Sequence, residues 1–231
     1  SSHSSPSPLS REPVTACIIG GPVSGKTSLA LSLCREFNGI HLTPENVLQW
    51  ALQSSSTSSS PACAKAAEEL TSGSAIQSPR TAKEISSSLL LSCLRARIQR
   101  ADCKTQGWIL DGFPACAADA RAMTDPILGI KVGVVLSLEN LPHVITMKRA
   151  RESKKRTTQE VTEELQIWIH ERESMKASLS QAYLNVRHIN VGGGRSEWPI
   201  LDSARLALCT SRAKIQSRST ALLLRVPAPL D

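Results

Sequence analysis

Gly20-Gly-Pro-Val-Ser-Gly25-Lys26-Thr27 sets two glycines, a lysine and a hydroxyl in the pattern G-x-x-x-x-G-K-[ST] without a mismatch. Glycines there let backbone N–H groups wrap a run of phosphates, and the start of the following helix adds positive potential. Lys26 has the reach for β- and γ-phosphates, and the Thr27 hydroxyl suits Mg²⁺. Gly20, Gly21, Ser24, Gly25, Lys26 and Thr27 are therefore the candidate nucleotide-binding residues. A second stretch, Gly107-Trp-Ile-Leu-Asp-Gly-Phe-Pro-Ala115, runs apolar residues into Asp111 and then breaks. A carboxylate delivered at a strand end beside a phosphate loop can hold Mg²⁺ directly or through water, which makes Asp111 the partner of Thr27 as a metal ligand. A third feature is the basic run from Lys148 to Arg156, in which six of nine residues are Lys or Arg. It could meet phosphates on a nucleotide or a nucleic acid, or an acidic protein surface, or be a solvated helix face.

These groups need elements to hold them. The apolar run Val14 to Ile19 predicts a strand buried on both faces, and Lys26 to Phe37 carries apolar residues at helical spacing. Gly39 to Leu42 is a short strand candidate, and Thr43-Pro44-Glu45 reads as N-cap, first-turn proline and first-turn acid of a helix through Ala51. A serine loop over 54–60, an alanine-rich helix over 61–70 and a longer helix from Ser78-Pro79 to about Gln99 are expected next. Strands follow at Trp108 to Asp111, Lys131 to Leu138 and Val186 to Val191. Asn140 is expected to cap a helix running into the basic cluster, residues 160–184 read as helical, and a last helix spans about Glu197 to Arg212. Strands alternating with helices imply an α/β fold with a parallel sheet covered on both faces.

At 231 residues the chain can bury a substantial core. No apolar run reaches membrane-spanning length, so a soluble protein with no membrane partner is expected. The seven cysteines are odd in number and scattered, without a C-x-x-C pair or a Cys/His cluster; this argues against a disulfide framework or structural zinc and for a reducing compartment. Residues 1–13 are a Ser/Pro-rich segment unable to form a core, expected to be a linker in a longer protein, and the role of the tail 213–231 is open.

With the phosphate loop, GWILDGFP and the segment AAEELTSGSAIQ…LLLSCLRARI between them in view, residues 14–212 resemble the adenylate kinase family of nucleoside monophosphate kinases. The resemblance implies a P-loop three-layer fold, a five-stranded parallel sheet with helices on both faces. It implies a monophosphate-binding-type insertion over 43–80 and a short lid over 149–158, with Mg²⁺ and ATP (or GTP) as cofactors. Lys26 and Asp111 then stand as catalytic residues, joined by the lid cations Arg151 and Arg156, with Lys148 a further donor-side contact.

The departures from the family pattern fall on one side. Positions where the family carries Thr and Arg after the second strand are Pro44 and Gln49 here. The arginine expected after D-G-F-P is Ala115, and the glutamine four residues on is Asp119. Another family arginine falls near Ile167 or Trp168 and is missing. Arginine grips phosphate with charge-assisted, often bidentate bonds, and an acid at 119 repels an incoming monophosphate. The expectation is a domain that keeps a nucleoside triphosphate but has little monophosphate kinase activity. It would act as a structural or regulatory module of a larger protein assembly, in cytoplasm or cytoskeleton, similar to adenylate-kinase-like domains of long ciliary and flagellar proteins; mitochondria stay open as a location. Two alternatives remain: an active nucleoside monophosphate kinase with an atypical acceptor site, and a ribonucleoprotein subunit using the basic run. Scarce aromatics disfavour single-strand stacking in the latter.

Overall fold

The computed structural model describes residues 13–54, 61, 64, 65, 68, 86–139, 141–152, 157–192 and 199–211. Expectations for residues 1–12 of the 1–13 linker, residues 55–60, most of the 61–70 helix, Ser78-Pro79, Asn140, Arg156 and the 213–231 tail lie outside the described residues. Five strands form one parallel sheet: β1 (Val14–Gly20), β2 (Ile40–Leu42), β3 (Gly107–Asp111), β4 (Val134–Glu139) and β5 (Val186–Asn190). Their order is β2-β3-β1-β4-β5, so β1 is central, paired with β3 on one side and β4 on the other.

The period-two alternation of β1 sorts the core into two layers. Ala16 and Ile18 face α1 (Lys26–Phe37) and the helix over residues 199–211, here α8, through Leu29, Leu33, Ala204 and Leu208. Cys17 and Ile19 face the opposite layer: α2 (Pro44–Ser54), α3 (Ser87–Ile98), α5 (Ala117–Met123) and α7 (Thr158–Ala182). The short α4 (Ala101–Gln106) leads into β3, and α6 (His143–Glu152) follows β4. β1 and β3 are buried almost throughout, as strands covered by helices on both faces must be.

Three boundaries differ from expectation by three residues or more. The helix expected from Ser78-Pro79 does not run continuously to Gln99: Ser86 is extended (φ −60°, ψ 138°), its hydroxyl accepts the Leu89 N–H, and α3 starts at Ser87. The serine run 86–88 supplies side-chain oxygens that compete for backbone donors and so mark a helix start. Ser54 is the last residue of α2 rather than loop. β4 begins at Val134, because the Gly133 N–H is held by the Thr15 carbonyl at 3.0 Å and by its hydroxyl at 3.0 Å before the ladder starts. At the other end of the site strand, Gly107 has φ 84° and ψ −176°. A Cβ there would sit 2.1 Å from the Val14 carbonyl oxygen, so glycine is what lets β3 enter the sheet against β1.

Candidate functional site

The phosphate loop follows β1 and turns into α1 through Gly25, which takes φ 91°. Its N-cap makes no side-chain hydrogen bond, and the first turn of α1 carries no acid. The donors at the start of this helix are thus not taken by a capping side chain or an acid, the condition for receiving an anion. One further observation fits a phosphate ligand. The Ser24 hydroxyl is buried in the loop with no hydrogen-bond partner among the described residues, a costly state unless a ligand fills it. The loop backbone is also closely packed by the protein's own side chains: a Cβ on Gly20 would meet Ser24 Oγ at 2.9 Å, and one on Gly21 would meet the Trp168 ring at 3.1 Å.

Lys26 folds back over the loop, its ammonium donating to the Gly20 carbonyl at 2.9 Å and the Gly21 carbonyl at 2.7 Å. Thr27 is exposed on the first turn of α1. Asp111 ends β3 in register with Ile18 of β1, so the sheet itself sets the carboxylate beside the strand that leads into the loop. It is almost fully buried and accepts a bond from His41 Nε2 of β2 at 3.2 Å through Oδ2. Hydroxyl and carboxylate oxygens are a hard-oxygen donor set that fits Mg²⁺ with water completing its shell. The turn beyond Asp111 is anchored by Cys17, whose thiol donates to the Phe113 carbonyl at 3.1 Å. Burial, and secondarily the Asp111 charge, push that thiol far above its ordinary titration range, so it acts as a packed donor rather than a nucleophile.

The basic run divides. Lys148 and Arg151 line a shallow surface groove on α6 with His143, Val144 and Met147. Arg149 is the member that reaches the phosphate loop, donating to the Val23 carbonyl at 3.2 Å. Arg156 lies outside the described residues. Sequence reasoning passed over Arg149, His41 and Glu171. In the register of β2 on β3, His41 pairs with Ile109, two residues before Asp111, a neighbourhood that the sheet order reveals and the linear sequence does not.

The opposite wall, built by α5, is closed on itself. The Asp119 carboxylate accepts the Ala115 N–H at 2.9 Å, the Cys116 N–H at 3.3 Å and the Ser87 hydroxyl. Glu171, reaching across from α7, accepts the Ala117 N–H at 3.0 Å. Asp119 is therefore a buried cap of this turn, committed to three internal donors.

No family model matches the chain. Among curated proteins, it is 30% identical to adenylate kinase 8 of Xenopus laevis over 132 residues, 57% of this chain and 23% of that protein. It is 31% identical to adenylate kinase 8 of Homo sapiens over 132 residues, 57% of this chain and 24% of that one. Adenylate kinase 7 of Macaca fascicularis is 25% identical over 125 residues, 47% of this chain and 24% of its own length. The chain thus spans about a quarter of the length of the curated relatives it matches. Repeated likeness to adenylate kinases 7 and 8 over about half the chain, together with a five-stranded parallel sheet with helices on both faces, supports an adenylate-kinase-like domain.

Proposed function

We propose that this domain binds Mg·ATP or Mg·GTP at the phosphate loop, carries little or no monophosphate kinase activity, and serves as a structural or regulatory module of a larger protein. The observation that carries this reading is the contrast between two helix starts. At α1 no side chain or first-turn acid takes the backbone donors, and a buried hydroxyl waits without a partner. At the turn into α5 the donors of residues 115–117 are already spent on the carboxylates of Asp119 and Glu171. One end suits an anion, and the other repels it with two carboxylates where the family resemblance calls for an arginine.

Thr27 and Asp111 would supply the protein-side oxygens for Mg²⁺, which when bound neutralises charge at the phosphates. The Lys26 ammonium, held by the Gly20 and Gly21 carbonyls, would serve the β- and γ-phosphates of a bound nucleotide. Arg149, resting on Val23, adds positive potential at the loop, and Lys148 and Arg151, its neighbours on the same helix, line the surface groove. Phosphoryl transfer depends on positioning and charge stabilisation of both substrates, so a site with one half closed holds the donor without delivering it. The cytoskeleton of a cilium or flagellum is the proposed setting, on the strength of the resemblance drawn from the GWILDGFP stretch.

The test is calorimetric binding of Mg·ATP and Mg·GTP, alongside phosphotransfer over a panel of nucleoside monophosphates, with Lys26→Met as control. Triphosphate binding that the control loses, with turnover no higher than the control for every monophosphate, is the expected result. Turnover above the control with any monophosphate favours an active kinase with an unusual acceptor site, a reading supported by the kinase names of the relatives.

A further inference from the structure

Where the phosphate loop opens, α7 lays Trp168 against it. A Cβ on Gly21 would lie 3.1 Å from Trp168 Cδ1 and 3.3 Å from Nε1, so the nitrogen-bearing edge of the indole faces the loop backbone. The body of the ring packs on the core layer under α7, and the residue is half-buried. Packing on one side and the loop on the other hold the ring, and Nε1–H is the one polar group its side chain brings to the loop. An indole N–H is a donor only, so the partner it fits is an acceptor.

Lys26 tells which end of a polyphosphate this edge would meet. In a loop of this pattern the lysine serves the β- and γ-phosphates, and its ammonium rests at Gly20 and Gly21. Gly21 therefore borders the β- and γ-phosphate end of the cradle, and the Trp168 ring packs against Gly21. We propose that Trp168 is a binding residue for the terminal phosphate of a nucleoside triphosphate, its indole Nε1–H donating to a γ-phosphate oxygen. The contact makes the site select triphosphate over diphosphate. A neutral donor here binds the phosphate without contributing the mobile positive charge that transfer to an acceptor exploits, which suits a holding site.

This inference rests on the nucleotide-binding reading, and the experiment separates the two. Calorimetry with Mg·ATP and Mg·ADP is run on the full chain and on Trp168→Phe, which keeps a flat apolar ring but removes the N–H. The expected result is tighter binding of Mg·ATP than of Mg·ADP by the wild-type chain. Trp168→Phe then weakens Mg·ATP about tenfold, the scale of one hydrogen bond to a charged group, and leaves Mg·ADP unchanged. Should the variant not fold, the ¹⁵N-indole resonance of Trp168 in the wild-type chain carries the test: it shifts with Mg·ATP and stays with Mg·ADP. Equal loss for both nucleotides, no loss for either, or an indole resonance that ignores the third phosphate overturns the role of Trp168 while leaving nucleotide binding intact. No binding of either nucleotide by the wild-type chain overturns the nucleotide reading and this inference with it.

Discussion

At Ala115 a missing cation and a gained acid belong to one local arrangement. Asp119 gathers the Ala115 and Cys116 N–H groups and the Ser87 hydroxyl into a nearly buried position, so it ties α3 to the turn after β3 as well as capping α5. The same carboxylate that would repel a monophosphate is therefore needed by the fold. Asp119→Ala removes the acceptor of three donors and is expected to cost about 1–3 kcal/mol. Urea unfolding should show this as a lower midpoint at unchanged slope, with Asp119→Asn, which keeps one acceptor oxygen, intermediate. A variant as stable as the wild type would mean that the cap contributes nothing and that the acid's effect is on ligands alone. At the same scale Arg97 holds Asp102 with bonds of 2.9 and 2.7 Å and lies 5.6 Å from the Trp50 ring centre. That guanidinium keeps the Asp102 carboxyl below its ordinary value and joins α2, α3 and α4.

Elements explain why the glycine of GWILD is there. β3 must begin beside Val14 in register, and Gly107 does so with φ 84° and its α-carbon pressed on the Val14 backbone. Gly107→Ala places a Cβ 2.1 Å from one backbone oxygen and 2.6 Å from the backbone nitrogen of the same residue. No rotamer change relieves a clash with backbone, so the expected cost is at least about 4 kcal/mol, at the exceptional end for a single substitution. A thermal midpoint within a few degrees of the wild type would show that β3 can shift its entry, and Asp111 with it. Much at this scale was legible in the sequence. β1, α1 and β3 lie within a residue of where apolar periodicity and the glycines put them, and α2 starts where Thr43-Pro44-Glu45 puts it, though it ends three residues later than expected. What the sequence hid depends on neighbours that only the folded sheet supplies. The role of His41 rests on β2 lying next to β3, and those of Glu171 and Trp168 on which turns of α7 face the site. Arg149 was lost within a run of like charges, because composition gives the sum of a cluster and not which member turns inward.

For the molecule as a whole, the central strand is where ligand binding and global stability meet. β1 carries Cys17 at its middle and the phosphate loop at its end, and both core layers pack on it. Cys17 is wholly inaccessible, and Cys34, Cys93 and Cys103 are buried too, whereas Cys209 is exposed. Burial raises the Cys34 and Cys103 thiols to about 11, so for them, as for Cys17, alkylation requires opening as well as deprotonation. Near pH 8, Cys209 should react at the rate of an open thiol, and Cys17 slower by about four orders of magnitude or more, since its exposure needs the sheet to come apart. A ligand that binds only the folded chain stabilises it by about 2.7 kcal/mol at a hundred times its dissociation constant. Mg·ATP at that concentration should therefore slow Cys17 labelling about a hundredfold while leaving Cys209 unchanged, as read by peptide mapping of alkylated protein. Lys26→Met should abolish the slowing without hastening Cys17 in the absence of nucleotide. Slowing that survives in Lys26→Met would mean that the nucleotide binds away from the phosphate loop. Cys17 labelled as fast as Cys209 would mean that the centre of the sheet opens without global unfolding.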